Sequence, residues 1–76
     1  MNAERSKELK KAVEIARQAL DLLQQIKTDE EAAYDGLSES QQNGEKGEDM
    51  QAIISELEDA DTSLDSAIAS MESAIR

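Results

Sequence analysis

Residues 57–75, LEDADTSLDSAIASMESAI, repeat themselves every seven positions. Leu57, Leu64 and Met71 occupy one column, Ala60, Ala67 and Ala74 the next, and Asp61, Ile68 and Ile75 the one after, while Glu58, Asp65 and Glu72 stay acidic throughout. A strict seven-residue apolar period falls slightly short of two turns of a straight helix, so it commits the segment to left-handed supercoiling against another helix. Upstream, Met50, Ile53 and Ile54 extend the seam.

The partner helix stands at the other end of the chain. Leu9, Ala12, Ala16, Ala19, Leu23 and Ile26 follow one another at alternating steps of three and four, and the same steps run on through Glu30 to Ala33 and Leu37. With no proline anywhere, nothing interrupts either run. The spacing predicts a first helix over about 3–34, a tip over about 35–47 and a second helix over about 48–75. At 1.5 Å rise per residue the two helices are each ~48 Å long. Equal helices joined by a short tip pack antiparallel, so the fold class read from the pattern is all-α, an antiparallel two-helix hairpin with coiled-coil heptads. Alanine at every second seam position predicts close approach of the two backbones.

The apolar stripe is wider than one partner helix covers. Val13, Leu20, Ile54, Ile68 and Ile75 lie beside the seam, giving about three apolar positions in seven, the pattern of a four-helix bundle. The reading is a homodimer of hairpins, with Leu9, Ala16, Leu20, Leu23, Ile54, Leu57, Leu64, Ile68 and Met71 as the oligomer seam. The alternative is a monomer in which residues 38–42 form one short helical turn over the exposed side, with Ser38 as its N-cap and Leu37 as an apolar plug. A single core in a 76-residue chain yields only ~3–5 kcal/mol of net stability without a staple. There is no Cys and no His, hence no disulfide, thiolate zinc site or imidazole ligand, and oligomerisation is the staple that remains. Phe and Trp are absent and Tyr34 is the sole aromatic, so the core is aliphatic.

The net charge of −10 is unevenly spread. Residues 1–28 hold six bases and four acids (+2), residues 29–76 two bases and fourteen acids (−12). This polarity suits pairing of the two helices or attraction of a basic protein, and it disfavours direct nucleic-acid binding, which needs a basic patch. No run of apolar residues is long enough for a membrane span and no apolar signal segment follows the N-terminus, so the expected location is the cytoplasm. Catalysis is not expected, because acid-base work at neutral pH relies on His or a carboxylate in a pocket, and a thin alanine-rich bundle offers none. No cofactor is expected: the glycines form no phosphate loop. Asp59, Asp61 and Asp65 fall inside the heptad helix and lack the glycine of a calcium loop, while Asp35, Glu45, Glu48 and Asp49 at the tip serve capping and solvation rather than a metal.

Two surfaces are candidates for partner binding. Glu58, Asp61, Asp65 and Glu72 fall at steps of three, four and seven, and predict an acidic stripe that either imitates a phosphate backbone or pairs with Arg5, Lys7, Lys10 and Lys11 of the first helix. The tip, residues 32–50, AAYDGLSESQQNGEKGEDM, contains all three glycines and more internal order than a turn requires. Tyr34 and Leu37 are an apolar anchor or the plug of the bundle's end, and Glu39, Glu45, Glu48 and Asp49 ring them with charge, −7 over residues 29–49.

Tyr34-Asp35, Leu37, Glu39-Ser40, Gln42, Gly47-Glu48 and Met50 resemble a motif of small acidic proteins encoded by phages and prophages of Gram-positive bacteria, in which an aromatic-Asp-Asn-Met-Pro-Glu-Ser-Leu-Gln run precedes a Glu-(Arg/Lys)-Gly-Glu-x-Met element and acidic, alanine-rich heptads. The resemblance covers roughly residues 28–75. It departs from that motif at Gly36, Ser38 and Gln41, where Asn, Pro and Leu stand in the pattern. It implies a mobile-element origin within a bacterial host. With the charge and the missing catalytic residues, this leads to the expectation of a non-enzymatic protein that binds a basic host protein stoichiometrically, as an inhibitor of a host defence nuclease or a DNA mimic. The alternative is a scaffold module that only assembles with itself.

Overall fold

The computed structural model describes residues 1–76. Two long helices, α1 (Ala3–Asp35) and α3 (Glu45–Ala74), are joined through a single-turn helix α2 (Glu39–Gln42). They pack antiparallel into a rod 58 × 14 × 12 Å. Asn2 starts α1: held extended, its side-chain Oδ1 accepts the backbone N–H of Arg5 at 2.8 Å.

The turn from α1 differs from the left-handed glycine ending expected of Asp35-Gly36. No residue has positive φ. Gly36 stays right-handed (φ −79°, ψ −9°) and donates to the Ala32 carbonyl, while the N–H of Leu37 donates to the Tyr34 carbonyl at 3.0 Å. The chain then swings extended at Ser38 and restarts as α2. α3 begins at Glu45, three residues earlier than the sequence pattern suggested. The earlier start places both Glu45 and Glu48 in the first turn, where the helix dipole favours acids.

The least exposed positions define the seam. On α1 they are Ser6, Leu9, Val13, Ala16, Leu20, Leu23, Lys27, Glu30 and Tyr34, continuing to Leu37; on α3 they are Gly47, Met50, Ile54, Leu57, Asp61, Leu64, Ile68 and Met71, ending at Ile75. Both sets keep steps of three and four without a break. This corrects the register expected for the alanines. Ala12, Ala19, Ile26 and Ala33 of α1, and Ile53, Ala60, Ala67 and Ala74 of α3, are all exposed. Each helix is rotated by about one residue, ~100°, from the alanine seam. The reason is area: turning Val13, Leu20, Ile68 and Ile75 inward buries more apolar surface than turning alanines inward, at ~0.8 kcal/mol per buried methylene. The rotation brings Lys27, Glu30 and Asp61 to half-buried seam positions as its cost.

Little of the seam is sealed. Val13 (7 % exposed) and Ile68 (2 %) are the only buried apolar residues. All nine residues expected as an oligomer seam lie instead along the contact between α1 and α3 of one chain. The chain exposes 5500 Å², against roughly 4,600 Å² for a compact protein of this mass. The short helix α2 does not cover the open side, since Ile15 and Leu22 remain 66 % and 59 % exposed.

Candidate functional site: the acidic tip

The tip is an ordered cap built from α2, folded against the start of α3. Ser38 Oγ accepts the N–H of Gln41 at 3.2 Å and the Gln41 side chain accepts the N–H of Ser38 at 3.1 Å, a reciprocal capping box. Ser38 and Gln41 are two of the positions at which the chain departs from the phage-type motif, and the structure joins them as partners. Gln42 then reaches back, its Nε2 donating to the Tyr34 carbonyl at 3.1 Å, so α2 is tied to the end of α1.

Gly47 makes the close approach of α2 possible. It is buried, and a Cβ built on it falls 2.6 Å from Gln42 Cα and nearer still to the Gln42 carbonyl. Only glycine fits there. Sequence reasoning passed over this role, because the clash is with a residue of another helix and leaves no local signal beyond the glycine itself.

Tyr34 is half-buried at the end of the seam, and its hydroxyl accepts the Gln51 side-chain N–H at 2.7 Å. Leu37 is likewise half-buried. Around Tyr34 lies a shallow notch of about 200 Å³ lined by Glu31, Asp35, Gln51 and Ile54. Its walls combine a ring, an aliphatic side chain and two carboxylates. Glu39, Glu45, Glu48 and Asp49 are exposed around the cap.

The stripe expected from Glu58, Asp61, Asp65 and Glu72 is divided. Asp61 turns into the seam, whereas the other three line one outer edge of the rod, seven residues or ~10 Å apart. Two of the three are paired: Glu72 with Arg17 at 2.6 Å and Glu58 with Lys27 at 4.0 Å. These partners replace the more N-terminal Arg5, Lys7, Lys10 and Lys11, because the helices cross level with one another in a register that puts Arg17 beside Glu72. No group of three or more acidic residues is placed to hold a metal ion. No helix is long and apolar enough to cross a membrane.

One local conflict stands out. Asp29, Glu30, Glu31 and Asp35 crowd the last two turns of α1, the negative end of its dipole, and its last turn contains no base. Acids there oppose folding, each by ~0.3–1 kcal/mol. Such violations of local preference concentrate where a surface serves something other than stability. No protein-family model, curated protein or solved structure matches this chain.

Proposed function

We propose that this protein is a non-enzymatic binding protein of phage or mobile-element origin that captures a basic protein of a bacterial host, one copy of its tip to one partner surface. The uncompensated acids at the C-terminal end of α1 carry this reading. They make the notch of Glu31, Tyr34 and Asp35 a receptor for a lysine or arginine side chain, with the carboxylates pairing the charge and the tyrosine ring and Ile54 receiving the aliphatic stem. Blocking a phosphate-binding surface of a host defence nuclease is the form of inhibition this chemistry suits. The divided stripe on α3 lacks the spacing of a phosphate backbone and serves as a secondary steering field.

The test joins capture to stability. Replacing Glu31 and Asp35 by Gln should raise the melting temperature, by relieving the dipole, and abolish retention of any protein from a bacterial lysate; a nuclease assay on the retained protein then reads inhibition. Retention unchanged in the double variant would remove the tip from the account. A second reading, a scaffold that assembles as a homodimer without a host partner, is favoured by the exposed Ile15, Leu22, Ile26 and Ile53. Recovery of the protein alone supports it.

A further inference from the structure

The two long edges of the rod differ in kind. One holds Arg17–Glu72 and Lys27–Glu58. In an antiparallel pair the positions flanking the seam on the opposite side also meet, and here they are Ala12, Ala19, Ile26 and Ala33 of α1 beside Ile53, Ala60, Ala67 and Ala74 of α3, all exposed. Ile15 and Leu22 adjoin them on α1 at helical spacing. On α1 the steps 12, 15, 19, 22, 26, 29, 33 form a second heptad stripe, apolar everywhere but Asp29.

We propose that a second copy of this chain covers this edge in antiparallel orientation, about a two-fold axis perpendicular to the rod, so that the tip of each hairpin lies beside the open end of the other. The proposal rests on the homodimer reading and assigns its face and direction. Area is sufficient: each stripe runs roughly 32 Å and two helices span roughly 18 Å, so two faces bury on the order of 1,200 Å², the lower bound of stable interfaces. Side-chain sizes complement one another under the same axis. Placed between Ala19 and Leu22, it sets Leu22 against Ala19 and Ile15 against Ile26 of the second α1. Placed between Ala60 and Ala67 on α3, it sets those alanines against each other and Ile53 against Ala74. The Lys27–Glu58 pair and the Tyr34–Gln51 hydrogen bond fix the level of the helices, and they put these two centres within about a residue, ~1.5 Å, of each other along the rod. One axis therefore serves both helices.

Charge selects the direction. The open end, residues 1–11 and 67–76, holds five bases and three acids (+2), and the tip, residues 29–49, eight acids and one base (−7). A parallel dimer sets −7 against −7. The antiparallel one sets each tip against a +2 end and brings Lys11 near Asp29, the one acid in the second stripe. The notch at Tyr34 lies on the opposite, charged edge and stays open, so the dimer presents two acidic tips at its far ends.

The chain has no cysteine, so a nitroxide attached through Ser40→Cys, exposed on α2, reports the tips alone. Sedimentation and electron-paramagnetic distance measurement on this protein should give a dimer with a label separation on the order of 50 Å. Leu22→Glu should keep the helical circular-dichroism spectrum and weaken association about a hundredfold by placing an unpaired charge in the interface. A monomer at micromolar concentration overturns the dimer reading and this assignment together. A dimer whose labels lie within ~25 Å, about two helix diameters, or whose affinity ignores Leu22→Glu, overturns the assignment alone.

Discussion

The two edges of the hairpin share a backbone and a seam, yet one is laced with charge and the other is bare alanine and isoleucine. On the charged edge, Arg17 and Lys27 reach across to Glu72 and Glu58, and both pairs are largely solvated. Such pairs set which residues stand level with which, and add little stability. The apolar edge does the reverse: it specifies no register within the chain and leaves surface that favours association. Register within the chain and assembly between chains are thus assigned to opposite sides of one thin rod, while the seam between them holds the fold.

That division is tested most severely by two neighbouring substitutions. Ile68 is 2 % exposed in the seam, and Ala67, the next residue, lies on the apolar edge. Ile68→Asp should unfold the protein, with loss of the helical circular-dichroism signal at 25 °C, because an unpaired buried charge costs more than a core this small supplies. Ala67→Asp should leave the helical signal and remove the concentration dependence of melting that a dimer shows. Equal effects from the pair would erase the distinction between seam and edge.

The tip yields the next largest effect. Gly47→Ala forces a Cβ onto the Gln42 backbone, so α2 or the first turn of α3 must shift. A loss of ~2 kcal/mol is expected, or roughly 8–16 °C in melting temperature for a domain of this size. Hydrogen exchange should accelerate at residues 39–44 while the middle of α1 and α3 stays protected.

The hairpin itself was legible in the sequence because heptad spacing and long runs free of proline leave no other architecture for two equal helices. The rotation of the helices was not. Leu9, Ala16 and Leu23 belong to both possible seams, and the choice lay between Ala12 with Ala19 and Val13 with Leu20. Reading alanine as a sign of close packing favoured the first; the larger area buried by valine and leucine decided for the second. In α3 the acidic Asp61 shares a column with Ile68 and Ile75 and argued against that column, although two isoleucines outweigh one half-buried carboxylate. At the tip, Ser38 was recognisable as a cap, whereas the pairing of Gln42 with Tyr34 and the demand for glycine at 47 depend on contacts between elements distant in sequence.

Asp61 therefore marks a place where the seam is improvable. It stands between Leu57, Leu64 and Ile68 on the inward side of α3, and no hydrogen bond or ion pair holds its carboxylate. Asp61→Leu should stabilise the protein by ~1–2 kcal/mol through added apolar burial, seen as a higher denaturant midpoint with an unchanged slope. A lower midpoint would mean that Asp61 faces a favourable charge and that the seam on α3 is set differently.

The smallest expected effect belongs to the shortest ion pair. Arg17 and Glu72 approach to 2.6 Å, but their side chains are 55 % and 48 % exposed. Water solvates both partners when the pair opens, and two long side chains lose rotamer freedom when it closes, so the coupling is about 0.5 kcal/mol or less. A double-mutant cycle of Arg17→Ala and Glu72→Ala measures that coupling apart from the loss of the arginine stem. It should shrink further at high salt, as the Debye length falls from about 10 Å at 0.1 M to about 3 Å at 1 M. A coupling above ~1.5 kcal/mol that persists in salt would show a pair shielded from solvent, and the charged edge, rather than the apolar one, would then be the side that a second chain covers.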